Sequence, residues 1–230
     1  MIECVGIATC HNFPGNVVAD QHRLRYREVI EKECWGGVYV VDGMEFDRYD
    51  NLATEYYVAR DVTGAVVGVA RAYPTTIPYM LDEVFAHLAP GGLPAGQRVL
   101  EASRLVLDRS RLDKAARGPV IDRLVTAYIE RGLERGLEGY VGFMLPKIWA
   151  STFVRAGWEV EWLGPEVVLP HSGDVVRAAW MPVNEDVERN VRERTGIWRR
   201  VLNFGADAEG RSAGIAVYSD HEKRNLEEAA

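Results

Sequence analysis

The chain has 230 residues, 47% of them hydrophobic, and a formal net charge of −7. That is enough for one α/β domain with a full core, and the acidic balance excludes a general nucleic-acid binder, which needs a basic face. Three cysteines (Cys4, Cys10 and Cys34) at irregular spacing give neither a disulfide framework nor a zinc pattern. No apolar run reaches the ~18 residues of a membrane span. The start, Met1-Ile2-Glu3-Cys4, has no basic leader, so a cytoplasmic protein with no membrane or nucleic-acid partner is expected.

Residues 2–9 are apolar and β-prone and predict a first strand. Pro14-Gly15-Asn16 reads as a turn that caps a helix over 17–34, with Val18, His22, Arg25 and Val29 on one face. Residues 36–53 are Gly- and Asp-rich without period and read as a long loop, a length more often functional than incidental. Residues 55–60 and 66–73 form a hairpin through Asp61-Val62-Thr63-Gly64. Alternation in its second strand puts Val67, Val69, Arg71 and Tyr73 on one face. A short amphipathic helix over 80–88 carries Leu81, Val84, Phe85 and Leu88, and a strand follows over 99–107.

Gly118-Pro119 opens a helix with Pro at its first position. A strand over 139–145, a helix over 146–156 stopped by Gly157, and strands over 158–163 and 175–183 follow. A surface helix covers 184–194, which 195–203 can extend past Gly196. From Gly205 the composition turns polar, giving one domain over 1–204 and a C-terminal tail over 205–230. This order predicts an α/β protein: a three-layer α/β/α sandwich with a mixed central sheet.

Charged side chains seldom sit in buried strands unless paired or working. Arg71, Glu101 and Arg104 do so here. A regular strand would place Glu101 and Arg104, three apart, on opposite faces. A β-bulge near Ala102-Ser103 would bring them together and splay the sheet. Taken singly, Asp47 and Asp50 fit turn capping, Glu101 with Arg104 fits a structural ion pair, and Trp35 fits a core residue.

Jointly the residues say more. Arg25, Trp35 ten residues on, Asp47-x-x-Asp50, Gly68-x-x-Arg71 with Pro74-Thr75, and Glu101-x-Ser103-Arg104-Leu105 resemble the acyl-homoserine lactone synthase (autoinducer synthase) family. Leu81 and Phe85 match its short apolar helix, and the likeness covers about residues 20–160. The resemblance implies an acetyltransferase (GNAT)-like fold. It also implies a two-step reaction: acylation of the amine of S-adenosylmethionine by an acyl thioester, then lactone closure with release of methylthioadenosine. Glu101, as base, with Arg104 and Arg71 would be catalytic. Arg25, Trp35, Asp47, Asp50, Phe85 and Ser103 would bind S-adenosylmethionine. Leu100, Val106, Val141, Phe143, Met144, Leu145, Trp149 and Phe153 would line the acyl pocket. No cofactor and no metal is implied.

The family usually has Phe where this chain has Val29, and residues 142–146 lack the threonine of many members that prefer 3-oxo chains. Residues 157–165 resemble a smaller branch that uses acyl-coenzyme A. The usual donor is an acyl–acyl carrier protein, for which Arg109, Arg111, Lys114, Arg117 and Lys147 would make a basic dock, or else a solvated charged face. The alternative is an acyltransferase of the same fold acting on another amine. Such enzymes bind coenzyme A pyrophosphate on a Gly-rich turn into a helix, and residues 108–118 contain no such turn.

Overall fold

The computed structural model describes residues 1–32, 38–170 and 172–205. Strand β1 (Ile2–Val5) leads to helix α1 (Val17–Arg25), which continues as a π-helical turn over Tyr26–Glu31. A small hairpin, β2 (Tyr39–Val41) and β3 (Met44–Phe46), precedes β4 (Glu55–Arg60) and β5 (Val66–Pro74). Then come α2 (Met80–Glu83), β6 (Val99–Leu107), α3 (Lys114–Glu134), β7 (Gly139–Met144) and α4 (Pro146–Trp149), the last extended by a π turn over Ala150–Val154. Two short strands, β8 (Glu161–Trp162) and β9 (Val167–Val168), lead to β10 (Val175–Pro182), α5 (Glu185–Thr195) and β11 (Leu202–Asn203).

The main sheet runs β11-β1-β4-β5-β6-β7-β10-β8, with β9 also on β10. It is mixed: β1 with β11 and β6 with β7 are parallel, and the other pairs are antiparallel. The larger core lies on the α3 face, around Leu124, Tyr128, Trp149, Phe153 and Trp158. The other face carries two clusters. One lies under α1 around Val17, Leu24 and Val69, and one beside α2 around Tyr73, Leu81, Val99 and Val141.

Several expectations hold in detail. Asn16 caps α1 by accepting from the Ala19 N–H at 3.1 Å, and Asp61 and Gly64 close the β4–β5 turn. Others are corrected by local chemistry. β1 ends at Val5 because Thr9 folds back, its hydroxyl donating to the Cys4 carbonyl and accepting from the Gly6 N–H. The loop expected over 36–53 contains β2 and β3. Asp42 (φ 50°) and Gly43 (φ 69°) both take the left-handed conformation of a two-residue hairpin turn, the Asp-Gly signature. α3 starts at Lys114, capped by Asp113 on the Ala116 N–H at 2.8 Å, so Pro119 lies inside the helix and not at its first position. The strand expected over 158–163 shrinks to β8. Residues 195–203 do not extend α5. Gly196 (φ 71°) ends it as a left-handed cap, and the chain returns to pair with β1. Val67 leaves the face of Arg71 because the β4–β5 register shifts at Ala59/Arg60, and it packs into the α3-side core.

Two irregularities shape the centre. Across β5 and β6, Val69 faces Val106 and Arg71 faces Ser103, so Arg104 and Leu105 together oppose Ala70. This is the expected bulge, at Arg104-Leu105 and not at Ala102-Ser103, and Arg104 takes the irregular conformation, with φ 52°. In addition, β6 and β7 pair only over Val99–Glu101 and Gly139–Val141, although both strands run on. The sheet therefore parts just beyond Glu101. Among the described residues, no helix is long and apolar enough to cross a membrane, and no group of three His, Cys, Asp or Glu is placed to hold a metal ion.

Candidate active site

The bulge decides which side chains meet. Before it, Glu101 and Ser103 point away from α3; after it, Leu105 and Leu107 pack on the α3 side and Val106 on the other. The extra residue keeps Arg104 on the face of Glu101 and Ser103. There it joins residues from α1, β3, β5 and the loop after β3 in a closed ionic ring. Arg25 donates through Nε to Glu45 and through both terminal nitrogens to Asp50, at 2.7 and 2.8 Å. Glu45 accepts from Arg104 at 2.8 Å, and Arg104 also donates to Asp47 at 2.7 Å. Arg71 grips Asp47 with a two-pronged contact at 2.7 and 2.9 Å and reaches Asp50 at 2.9 Å, which closes the ring on Arg25.

Three guanidinium groups thus face three carboxylates, and their charges cancel. Arg25, Arg71 and Glu45 are fully buried, a placement that demands such pairing. Burial alone would raise the Asp50 carboxyl, but the Arg25 hydrogen bonds and the charges of Arg71 and Arg25 reverse this and hold it well below the usual range. The same contest, won by Arg71 and Arg104, lowers Asp47. Supporting groups fix the ring. The Arg71 Nε donates to Ser103 Oγ at 2.9 Å, Tyr56 donates to Asp50 at 2.8 Å, and the Asp47 N–H donates to Asp50 at 2.9 Å. His22 holds the Glu45 carbonyl through Nδ1 at 2.8 Å. Burial, then the Arg25 charge, push its imidazole down to about 4, so it is neutral near pH 7.

Glu101 is different. It is fully buried, and its Oε2 accepts from the Leu81 N–H at the start of α2, at 3.1 Å. Its Oε1 has no hydrogen-bond partner among the described residues. Burial pushes this carboxyl up to about 7, against the lowering effects of the Leu81 N–H and then of the Tyr73 hydroxyl. Around it lie Tyr73, Leu81, Val99, Val141, Phe85 and Phe143. The arrangement is a buried carboxyl among apolar side chains at the point where β6 and β7 separate, next to a neutral ionic scaffold.

The family model described as autoinducer synthase matches residues 12–191. The chain belongs to the autoinducer synthase family. It is 34% identical to the isovaleryl-homoserine lactone synthase of Bradyrhizobium diazoefficiens over 82% of this chain and 81% of that one. It is 33% identical to an acyl-homoserine-lactone synthase of Ralstonia nicotianae over 63% of this chain and 72% of that one. It resembles the solved structure of a CoA-dependent acyl-homoserine lactone synthase, BjaI, with SAM and isopentyl-CoA. That match has a TM-score of 0.78 at 29% identity, covering 88% of this chain and 92% of that one. This autoinducer synthase is accordingly an acyltransferase, an acyl-homoserine lactone synthase, with the acetyltransferase-like α/β/α fold.

Of the synthase's expected site residues, the structure gathers Arg25, Asp47, Asp50, Arg71, Ser103 and Arg104 into the ring, where the charged groups pair with one another. Phe85 packs on Phe143 with ring centroids 4.4 Å apart, and Val141 shares their cluster with Glu101's neighbours. Leu100, Met144, Trp149 and Phe153 belong to the α3-side core, and the Trp149 indole N–H donates to the Arg177 carbonyl at 2.9 Å. Leu145 precedes α4 at its N-cap position and is partly exposed. Val106 is set apart, packed under α1. Trp35 and residues 206–230 of the expected tail lie outside the described residues. Sequence reading missed Glu45, Tyr56 and Tyr73. For Glu45 a signal existed: the Asp42-Gly43 dipeptide marks a two-residue hairpin turn, which puts Glu45 at the centre of a short strand.

Proposed function

We propose that this synthase acylates the amine of S-adenosylmethionine from an acyl-coenzyme A, then closes the lactone and releases methylthioadenosine, with Glu101 as the base. The observation that carries this reading is the Glu101 carboxyl: buried, held by one oxygen, with no hydrogen bond of ordinary geometry at the other among the described residues, and raised by burial to about 7, where a general base works best at neutral pH. Starting from the neutral amine, the C–N bond forms as the C–S bond breaks. The proton lost by nitrogen goes to Glu101 and on to the departing thiolate, giving amide and free thiol. Lactone closure then needs only the substrate carboxylate held against its own γ-carbon, so no metal and no cofactor enters.

The ring serves as a rigid wall for S-adenosylmethionine. Arg71 and Arg104 position the site, Arg25, Asp47, Asp50 and Ser103 face the charged end of the substrate, and Trp35 and Phe85 supply flat apolar surface. The acyl chain leaves Glu101 past Val141 and Phe143 and enters the gap between the parted strands toward Leu100, Met144, Leu145, Trp149 and Phe153. Two observations favour coenzyme A over a carrier protein as donor. Of the basic residues near α3, Arg109 is tied to Glu28 at 2.7 Å, Arg111 to Asp61 at 3.1 Å and Arg117 to the Leu112 carbonyl at 3.0 Å. The similar BjaI was solved with isopentyl-CoA, and the Bradyrhizobium relative is named for an isovaleryl product, so a short branched acyl group fits best. Substrates of this kind place the enzyme in the cytoplasm.

The test is incubation with S-adenosylmethionine and a panel of acyl-coenzyme A and acyl–acyl carrier protein thioesters. Methylthioadenosine and lactone should appear together, fastest with a short branched acyl-coenzyme A. Acyl transfer without methylthioadenosine, or turnover with carrier-bound donors alone, would sink the reading.

A further inference from the structure

We propose that Tyr73 is a second catalytic residue. Its hydroxyl and Glu101 Oε1 each take one N–H of the attacking amine and leave the nitrogen lone pair free for the acyl carbon. This rests on Glu101 acting as base. Tyr73 on β5 stands directly opposite Glu101 on β6, and cross-strand partners project side by side from one face. Both residues are fully buried. Neither the Tyr73 hydroxyl nor Glu101 Oε1 makes a hydrogen bond of ordinary geometry among the described residues, yet the two groups stand close enough for the Tyr73 hydroxyl to lower the Glu101 carboxyl.

Buried polar atoms without partners are unfavourable and rare. Two of them facing one spot mark the seat of a ligand atom. Neither side chain arrives there by slackness. The Leu81 N–H fixes the other oxygen of Glu101. The Tyr73 ring is stacked on Tyr49, with centroids 5.6 Å apart and planes 7° from parallel, and the Arg71 guanidinium lies over it at 4.9 Å.

The chemistry of the two groups suits an amine. A carboxylate only accepts, and a neutral phenol has two lone pairs to accept with. Burial, then the Glu101 charge, keep the Tyr73 hydroxyl protonated far above neutral pH, so it never competes for the proton that Glu101 takes. A neutral primary amine has two N–H groups and one lone pair. With one N–H on Glu101 and one on Tyr73, the lone pair is aimed at the thioester carbon. As the C–N bond forms and the C–S bond breaks, the N–H on Glu101 is given up and the one on Tyr73 remains as the amide N–H.

The experiment compares wild type, Tyr73→Phe and Glu101→Gln with S-adenosylmethionine and isovaleryl-coenzyme A, reading kcat, KM and Tm. Tyr73→Phe keeps the stacked ring and removes a hydroxyl that makes no hydrogen bond of ordinary geometry among the described residues, so Tm should stay near its wild-type value. A lost hold on the nucleophile should lower kcat by about 10²-fold with KM for S-adenosylmethionine near its wild-type value. Wild-type kcat in Tyr73→Phe, or a kcat loss matched by a fall in Tm, would overturn the contact. Glu101→Gln inactive beside a fully active Tyr73→Phe would overturn the Tyr73 contact alone. Glu101→Gln at the wild-type rate would overturn the base, and the pair with it.

Discussion

The ionic ring and the Glu101–Tyr73 couple lie on the same face of the same two strands, yet they follow opposite rules. In the ring every carboxylate meets guanidinium groups, the charges cancel, and Asp47 and Asp50 are locked in the ionised form. In the couple, two buried oxygens lie side by side with no hydrogen bond of ordinary geometry among the described residues, and burial raises the carboxyl to about 7. The contrast separates holding from reacting. A fully paired network is stiff and chemically inert, because moving a proton within it would undo several charge-assisted hydrogen bonds. A half-satisfied carboxyl buried among apolar side chains can take a proton at little cost. Replacements that strip the ring should therefore damage the fold, and those that alter the couple should damage the rate.

The largest expected effect is on rate. Glu101→Gln should lower amide formation by about 10³-fold, within the usual range for a lost general base, while circular dichroism shows an intact fold. Wild-type amide formation by this variant would erase the contrast. The next is on stability. Arg71→Ala removes the group shared by Asp47, Asp50 and Ser103 and should cost about 3–5 kcal/mol in urea unfolding. A loss below about 1 kcal/mol would mean that the ring is no stiffer than a surface ion pair.

The third prediction sharpens the comparison through pH. The folded-state pKa of Glu101 is raised to about 7 from 4.5, so its contribution to stability is fully present below the unfolded value and is lost as pH rises through 7. The wild type should therefore weaken between pH 4.5 and 7.5 relative to Glu101→Gln, by at most roughly 3 kcal/mol. The rate should run the other way, rising through pH 7 as the carboxyl ionises. Asp47 and Asp50, with lowered pKa values, contribute stability that is lost only in strong acid. A gap between the two proteins that does not change with pH would remove Glu101 as the group that titrates near neutrality.

Much of this site was readable because it depends on spacing. The parity of residues 101 and 104 demanded an irregular strand, and the bulge is there, at Arg104-Leu105 and not at Ala102-Ser103, because Arg104 takes the irregular conformation itself. Arg25 was visible as a charge on a semi-apolar helical face. What stayed hidden depended on tertiary context. Glu45 was lost when Asp42-Gly43 was read as loop and not as a hairpin turn. Tyr73 satisfies the apolar alternation of β5, so nothing in the sequence separates it from a core aromatic; only an unpartnered hydroxyl opposite Glu101 does. The start of α3 is set by the capping side chain of Asp113, and Pro119, which favours a first helical position, sits inside the helix instead.

The smallest prediction concerns the hinge between the two regions, Arg104. A non-glycine residue at φ 52° carries a strain of roughly 1–2 kcal/mol from its Cβ, and such strain persists only where the surroundings hold it. Here the hold is the bond to Glu45 and Asp47. Arg104→Ala and Arg104→Gly both remove that hold, leaving the two carboxylates to Arg25 and Arg71, and both should be destabilised. They differ only in the Cβ. In an ordinary strand glycine is the worse of the two by about 0.5–1 kcal/mol. At this bulge the order should invert, with Arg104→Gly the more stable by about 1 kcal/mol. Thermal unfolding of the pair decides it. If alanine is the more stable, the left-handed turn relaxes once its salt bridges are gone, and the ring creates the bulge. If glycine is, the bulge is fixed by the strand pairing around it, and the ring is built on a kink that the sheet already has.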